Sequence, residues 1–436
     1  MITRTDATGV PIWQHTFGGG PETWDVLNDL QGTSDGGIVA TGYTFSDEPR
    51  QMQAWLIRLD HDGNQIWDRR YGDPAPNWSW AYDIIALDDG GFAMAGEVWV
   101  DSTAHHNGLL IRTTADGTEL WRRNYGGAHQ DGFSGLVATV DGGFLAVGQT
   151  RSVGNDTEMA GWAVRTDGAG TEVWSRTYGT ELDDWFEDVC VTEAGFACAG
   201  SASGSWVDGR RDGGNAWLVE IDGNGNQLQT HDYDRGSADE AYHLARTTDG
   251  GFALGGTSHA PDWSSWNGWI LRTHLDGGLR WTQDFSGDDQ PWVDGMLQTT
   301  DGGFATTGSV ETESMSSEIW IVKLAPEAEC DLVVDLSGHP SSIRRGDVLS
   351  FTAQATNPCE APLTLDTAVM KVTGPANVTT TLYAGQPVSV AAGKRVQAQV
   401  EQPVPDGAPL GTYSVEVSIS RDGVSIGSDE FDVVVE

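Results

Sequence analysis

Residues 249–257 read Asp-Gly-Gly-Phe-Ala-Leu-Gly-Gly-Thr, a tight turn followed by a short strand of small and apolar residues. The turn recurs along the chain, and its last glycine falls at Gly37, Gly91, Gly143, Gly195, Gly251 and Gly303. These glycines are 52 to 56 residues apart. A repeat of this length that is built of strands predicts a β-propeller, whose blades are four-stranded sheets.

Each repeat contains four predicted strands, here named A to D in chain order. Strand A precedes the Asp-Gly-Gly turn and strand B follows it, because two glycines after an aspartate supply the positive φ that a tight hairpin needs. Strand C is typified by Ala54–Asp60, which carries Trp55, and a second glycine-containing turn follows it. Strand D carries another tryptophan and ends on an aromatic residue, as at Trp67 and Tyr71.

Six A–B hairpins are present, but no strand D follows strand C of the sixth repeat, residues 319–324. A segment with the pattern of strand D lies instead at residues 10–17. We therefore predict an all-β fold in which residues 1–325 form a six-bladed β-propeller, closed by this N-terminal strand. Closure would remove two free sheet edges. Residues 1–6 resemble a spare strand C that competes with residues 319–324, and we expect them to be frayed.

The repeat stops at a short acidic linker, residues 326–330. Residues 331–436 contain segments that alternate with period two, such as Val348–Ala355 and Tyr413–Ile419. About seven such strands in a domain of this length predict an immunoglobulin-like β-sandwich. Arg421-Asp422-Gly423 predicts the hairpin turn between the last two strands.

The repeat motif of Asp-Gly-Gly-Phe, Trp-Leu-Ile-Arg-Leu-Asp, Trp and Tyr-Gly resembles the propeller repeats of bacterial and archaeal surface proteins, often named PQQ-like or kelch-like. The resemblance covers about residues 1–325 and implies scaffolding, adhesion or ligand binding without a shared catalytic set. Residues 409–413 are similar to the entry of the penultimate strand in bacterial Ig-like surface modules. The chain has no motif for a quinone pocket, and we expect no cofactor.

The 436 residues carry a formal net charge of −40. Because phosphate groups would be repelled, this charge argues against nucleic acid and anionic membrane surfaces as partners. A salt-adapted host and a simple need for solubility both explain such acidity. The sequence has no apolar run long enough to span a membrane and no signal peptide at its start, although the repeats begin mid-unit, as if sequence preceded them.

Four cysteines form two local pairs. Cys330 and Cys359 lie near the predicted first strands of the second domain, and Cys190 and Cys198 flank one A–B turn. Disulfides between them, or unpaired thiols, both fit this spacing, whereas a zinc site does not, because no histidine cluster accompanies them. A bridge would indicate an extracellular or cell-surface protein, and unpaired thiols a cytoplasmic one.

Turns A–B and C–D are short, whereas the D–A and B–C connections, which meet on the opposite face of a propeller, are long and varied. Variable loops on a rigid scaffold are where binding residues concentrate. We predict an acidic, tryptophan-rich funnel on this face that takes a cationic ligand, a stacked sugar or a metal ion, unless the aspartates only cap loop entries. Its predicted residues are Trp24, Asp25, Trp80, Asp131, Asp183, Trp185, Asp239 and Trp292.

These observations favour a non-enzymatic, monomeric binding or adhesion protein of the cell surface or the medium, with a protein or glycan ligand on the loop face. One alternative is a carbohydrate-active lyase or hydrolase that uses acids of the same funnel. A second is a purely structural repeat protein. No nucleophile–histidine arrangement and no full calcium-loop pattern supports a more specific chemistry.

Overall fold

The computed structural model divides into two compact units, Met1–Ala325 and Pro326–Glu436. All elements in the described residues are β-strands. The structure describes residues 1–18, 24–47, 50–72, 77–100, 105–153, 158–207, 210–212, 214–235, 238–260, 265–285, 291–311, 317–325, 333–356, 363–365, 367–375, 379–384, 388–390, 394–421 and 424–436. The predicted linker 326–330 and both Cys330 and Cys359 lie outside these ranges.

The first compact unit contains the strands β1 (Ile2–Thr5), β2 (Pro11–His15), β3 (Asp25–Gly32), β4 (Ile38–Asp47), β5 (Arg50–Leu59), β6 (Gln65–Tyr71), β7 (Ser79–Ala86), β8 (Phe92–Trp99), β9 (His106–Thr113), β10 (Glu119–Tyr125), β11 (Asp131–Ala138), β12 (Phe144–Thr150), β13 (Ala160–Thr166), β14 (Glu172–Tyr178), β15 (Asp183–Val191), β16 (Gly195–Val207), β17 (Arg210–Asp212), β18 (Asn215–Asp222), β19 (Gln227–Tyr233), β20 (Ala238–Arg246), β21 (Phe252–His259), β22 (Trp266–Thr273), β23 (Leu279–Phe285), β24 (Gly295–Gln298), β25 (Phe304–Glu311) and β26 (Ser317–Leu324).

These strands form a series of small antiparallel sheets, and each sheet corresponds to one sequence repeat. Repeats one, two, three and five are the four-stranded sheets β3–β6, β7–β10, β11–β14 and β20–β23. Repeat four has the order β15-β16-β18-β19, with β17 added beside β16. Repeat six has only three strands, β24–β26. The predicted order of strands A to D within a repeat is therefore present in five complete sheets.

The Asp-Gly-Gly turn is fixed by its own aspartate and by an arginine from strand C. In repeat one Gly36 has a φ of 82°, which favours glycine, and the Asp35 carboxylate pairs with Arg58 at 2.5 Å. Four other repeats hold the same ion pair: Arg112–Asp89, Arg165–Asp141, Arg272–Asp249 and Lys323–Asp301. Repeat four lacks it, because Glu220 and Glu193 occupy the two positions.

Consecutive sheets are joined by the aromatic residues of strand D. The Tyr71 hydroxyl donates to the Gly117 carbonyl of the next repeat at 2.7 Å, and the Trp67 ring packs edge-on against Phe92. The same bond recurs from Tyr125 to Gly170, from Tyr178 to Gly225 and from Tyr233 to Gly277. The aromatic residues of strand D in one repeat therefore contact the following repeat and join the two sheets.

Strand A of repeats one to five contains a β-bulge near its middle. The register with strand B shifts between Leu27 and Asp29, and again between Ala81 and Asp83 in repeat two. The other bulges lie at Ser134, Glu187 and Tyr242. A bulge re-aims the side chains that flank it, and in this molecule it positions a set of titratable groups described below.

The N-terminal residues differ from the prediction. Strand β2, which we expected to close repeat six, pairs with β1, and residues 2–5 are an ordered strand rather than a frayed end. Ile2 is buried against Ala40, Trp55 and Ile57 of repeat one. A strand that is close in sequence pairs at a small loop-closure cost, and in the described residues no pairing of β2 with β26 is present.

The second compact unit contains two larger sheets that share a core. One has the order β27-β29-β34, and the other the order β28-β36-β35-β31-β32, in which β28 and β36 run parallel. Phe351 of the first sheet packs edge-on against Phe431 of the second at 5.0 Å. The strands are β27 (Val333–Ser337), β28 (Ser342–Ile343), β29 (Val348–Thr356), β30 (Leu363–Leu365), β31 (Thr367–Thr373), β32 (Thr379–Ala384), β33 (Val388–Val390), β34 (Arg395–Pro403), β35 (Gly411–Arg421) and β36 (Val424–Val435).

Period-two burial in β35 follows the sequence alternation, since Val415, Val417 and Ile419 are buried. Strands β35 and β36 form the predicted hairpin, with Arg421 opposite Val424. No helix in the described ranges is long and apolar enough to cross a bilayer.

Candidate functional site

The predicted loop-face aspartates are engaged in local hydrogen bonds. Asp131 is fully buried and accepts bonds from the Gly127 amide at 2.8 Å, from the Ser152 hydroxyl at 2.6 Å and from the Thr150 hydroxyl. These donors belong to the D–A loop and to the end of strand B. The carboxylate therefore ties the loop to strand A, which is the capping role rather than the ligand-binding one.

Two other members of this set have the same role. Asp25 accepts a bond from the Thr44 hydroxyl, and the buried Asp239 accepts bonds from the Arg235 amide at 2.9 Å and from the Ser258 hydroxyl. Burial raises the pKa of Asp239. Serine replaces the aspartate in repeat two, where Ser79 donates to the Tyr71 carbonyl at 2.8 Å.

In repeat four the capping residue is Asp184, one position after the predicted Asp183. Asp184 accepts bonds from the amides of Thr180 and Ser203, as Asp131 does from Gly127 and Ser152. Asp183 instead accepts a bond from the Met159 amide at 2.6 Å. The prediction was displaced because the turn after strand A, closed from Thr192 to Gly195, is one residue shorter than its counterpart from Thr139 to Gly143.

The four predicted tryptophans lie in different environments. Trp185 is 1% exposed and belongs to the core, whereas Trp24 is 73% exposed. Trp80 and Trp292 are half-buried, and each belongs to an aromatic cluster at the loop end of the sheets. Trp80 and Trp292 therefore belong to two separate aromatic clusters, while Trp185 lies in the core and Trp24 is exposed.

The larger cluster is formed by repeat two and is called here the indole cluster: Trp78, Trp80, Trp99, His106 and Glu97. Trp78 and Trp99 stack with centroids 4.8 Å apart, and Trp80 stacks on His106 at 5.5 Å. Trp80 meets Trp78 and Trp99 edge-on at 6.2 and 6.0 Å. All three indoles keep part of their surface exposed.

A carboxylate–imidazole pair completes the indole cluster. Glu97 Oε2 lies 2.8 Å from His106 Nδ1, and the Trp99 indole N–H donates to His106 Nε2. This assigns the ring hydrogen of neutral His106 to Nδ1, which donates to Glu97. The side chains of His106 and Glu97 are 20% and 12% exposed. The cluster offers apolar ring faces beside fixed polar groups, an arrangement suited to a ligand with both apolar and hydroxyl-bearing surfaces.

The smaller cluster joins repeats five and six. His259 lies 5.3 Å from Trp292, which lies 5.3 Å from Trp266. His259 is 1% exposed, and burial lowers its pKa to about 4, so the ring is neutral at physiological pH. Its imidazole is more buried than that of His106, whose side chain is 20% exposed.

A third group of residues, which the sequence did not point out, lies at the bulges of strand A. Asp29, Asp83 and Asp188 follow the bulges of repeats one, two and four, and His243 follows that of repeat five. Each aspartate accepts a bond from an amide of the next repeat: Ile84 at 3.2 Å, Leu136 at 2.6 Å and Leu244 at 2.7 Å.

These carboxyl groups also affect one another. Burial raises the pKa of Asp29, and the neighbouring side chain of Asp83 lowers it. Burial, and then the charge of Asp29, raises the pKa of Asp83, and burial raises the pKa of Asp188 to about 7. Burial lowers the pKa of His243 to about 4. The signal in the sequence was a titratable residue at the same place in strand A of repeats one, two, four and five, where repeat three has Gly135.

Cys190 and Cys198 are free thiols, so the predicted bridge between them is absent. Cys190 lies opposite Ala197, and Cys198 lies opposite Val189. Because side chains alternate between the faces of a sheet, the two sulfur atoms point to opposite faces. Their burial in different hydrophobic clusters agrees with this placement. In the described residues no group of histidine, cysteine or acidic side chains is arranged to hold a metal ion.

No protein-family model and no curated protein matches the chain. Solved structures match a part of it. A DNA glycosylase, AlkC of Pseudomonas fluorescens, is 19% identical over 23% of this chain and 30% of its own, with a TM-score of 0.19. The sporulation control protein Spo0M of Bacillus subtilis is 13% identical over 24% and 49%, with a TM-score of 0.21.

A CARDB domain from Pyrococcus furiosus is 14% identical over 24% of this chain and 94% of its own, with a TM-score of 0.20. The chain spans less than half the length of the first two of these structures. Likeness at this level gives no functional argument.

Proposed function

We propose that repeats one to six are the blades of a six-bladed β-propeller and that the second compact unit is an Ig-like sandwich. Contacts between successive strands A support the propeller: β3 packs on β7, β7 on β11, β11 on β15, β15 on β20 and β20 on β24. The bonds from Asp29, Asp83 and Asp188 join the same strands. Strands A on the inside of a ring would produce this pattern.

On this scaffold the protein is a non-enzymatic binding protein of the cell surface or the medium, and its ligand is a glycan. The observation that carries the proposal is the indole cluster. It sets partly exposed rings of Trp78, Trp80 and Trp99 beside the Glu97–His106 pair, at the end of the sheet where the long loops begin. The C–H faces of a sugar ring pack on indole, while its hydroxyl groups bond to carboxylate and imidazole.

A carbohydrate-active enzyme is less well supported, because its candidate acids have other roles. Asp131 and Asp239 are buried and bonded to loop amides and hydroxyl groups. A general acid or nucleophile needs a carboxyl group that reaches the substrate.

The proposal is tested by screening the full-length chain on a glycan array and measuring the best glycan by tryptophan fluorescence. Replacing Trp80 by Ala should weaken binding at least about tenfold, since a central aromatic contact contributes well over 1 kcal/mol. Trp24→Ala is the matched control: Trp24 lies at the loop end of repeat one, 73% exposed, and its loss should leave the affinity unchanged.

Glycan turnover by the chain would support the enzyme instead. Absence of glycan binding, with binding of a protein from the same screen, would replace the glycan by a protein ligand.

A further inference from the structure

The last repeat exposes an apolar face. In the sheet β24–β26, Leu297 is 55% exposed, Ile319 61% and Ile321 48%. Among the described strands, β26 has one neighbour, β25, whereas strand C of the complete repeats lies between strands B and D. Sheets rarely leave such a face and edge uncovered, so we expect another segment to cover them.

The repeats themselves show what covers this face elsewhere. Leu297 lies opposite Ala305, as Ile85 of repeat two lies opposite Ala93. Ile85 is 8% exposed because Leu136 of repeat three packs in the same cluster. Ile321 lies opposite Thr307, as Leu110 lies opposite Ala95, and Leu110 is 2% exposed in the same cluster. The following repeat therefore covers these positions.

The first repeat exposes the matching half of this junction. Leu30 lies opposite Ala40, as Leu136 lies opposite Ala146, yet Leu30 is 50% exposed and Leu136 2%. Leu30 and Leu297 thus occupy the two positions that Leu136 and Ile85 fill where repeats two and three meet. The exposed surfaces are two halves of one more junction of the same kind.

Strand β1 occupies the outer part of this junction. Arg4 lies opposite Trp13, as Arg58 lies opposite Trp67, so β1 has the position of a strand C and β2 that of a strand D. By this register Ile2 corresponds to Leu56 and Ile321. Ile2 is 6% exposed on repeat one, where the corresponding residue of a sixth blade would pack. The chain therefore has seven strands of the strand C type, although six blades have places for only six.

We propose that β1 and β26 compete for one place beside β2, and that β1 keeps the ring open at this seam. When β1 leaves, β26 pairs with β2, Leu297 packs on Leu30, and the sixth blade is completed. Strand β26 is able to fill this place once it is vacant, because it spans Ser317–Leu324 and contributes Trp320, Ile321 and Val322. Removal or release of the N-terminal residues therefore closes the ring.

This inference rests on the proposed propeller and not on the proposed glycan. The test is disulfide trapping of the seam, with Leu30→Cys and Leu297→Cys in the full chain and in a chain that lacks residues 2–6. The expected result is an intramolecular disulfide whose yield is at least about fivefold higher in the shortened chain, as a population shift of this size requires about 1 kcal/mol. Peptide mapping identifies the bridge, and light scattering shows that it forms within monomers.

Ile85→Cys with Leu136→Cys is the positive control, because this pair occupies the same two positions in an uninterrupted junction. The variant Ile2→Asp in the full-length chain tests the same step without shortening, and its yield should also rise. Equal yields in the full and shortened chains, no bridge in either while the control pair forms one, or a bridge only between two copies would each overturn the proposal. Glycan affinity, measured separately, distinguishes this failure from failure of the proposed function.

Discussion

The two ends of the sheets in the first compact unit follow different rules. At the turn end the repeats copy one another: five hold a cation from strand C against the turn aspartate, and in four places a carbonyl of the C–D turn accepts a hydrogen bond from the strand D tyrosine of the preceding repeat. At the loop end they differ. Repeat two has the indole cluster, and repeats five and six share His259, Trp266 and Trp292.

The difference distinguishes residues that support the fold from residues that are candidates for ligand recognition. A contact that recurs in most repeats belongs to the shared scaffold, because the complete sheets are built and joined in the same way. A residue present at the loop end of one repeat and missing from the others is not needed there for folding. The exposed fraction of a loop-end tryptophan distinguishes a core residue from a candidate binding residue. Three substitutions test the comparison between the two ends and are given in order of their expected effect.

The largest effect is expected from Trp185→Ala. This side chain lies at the loop end but is 1% exposed, so the comparison assigns it to the core. Its removal should lower the free energy of unfolding by about 3–5 kcal/mol, as for other buried aromatic residues. Urea denaturation measures it, with Trp24→Ala expected within about 0.5 kcal/mol of the parent. A small effect of Trp185→Ala would remove exposure as the criterion.

The second effect concerns the carboxyl groups of strand A. Burial raises the pKa of Asp188 from 3.8 to about 7, so the folded state binds the proton more tightly than the unfolded state. The stability from Asp188 is fully present below pH 4 and is lost as the pH rises through about 7. A shift of this size corresponds to a loss of about 4 kcal/mol at most.

Asp188→Asn keeps the acceptor for the Leu244 amide and removes the titration. Urea denaturation at pH values between 4 and 8 should give a smaller decline for this variant than for the parent. His243 acts in the opposite sense, because its lowered pKa removes stability as the pH falls from 6.5 toward 4; it is present in both proteins and cancels in the difference. Parallel curves would show that Asp188 titrates normally.

The smallest effect is expected at the turn end. Tyr125→Phe removes the 2.6 Å bond to the Gly170 carbonyl and leaves the ring in place. The cost should be about 1 kcal/mol, the usual net value of one hydrogen bond. Phe17 and Phe285 already stand at the end of strand D without this hydroxyl. A loss of several kcal/mol, measured by urea denaturation, would show that the bond is part of a larger network.

Much of the fold was readable because it is local. Hairpin turns and the order of strands within a repeat follow from residues that are close in sequence. The prediction assumed that each capping aspartate lies at the same distance from the last glycine of the turn. In repeat four this turn is one residue shorter, so Asp183 was chosen instead of Asp184. The prediction also placed Cys190 and Cys198 symmetrically about a turn, although alternation puts their side chains on opposite faces.

The sequence by itself determined the number of repeats, the identity of strands A to D and the end of each sheet where loops vary, since each depends on the period of the pattern. Only the tertiary structure decided which tryptophans are buried, that Asp29, Asp83 and Asp188 affect one another, and that β1 rather than β26 holds β2. The bonds of these aspartates join residues more than 50 positions apart. A strand pattern also does not show which of two similar strands occupies a single place.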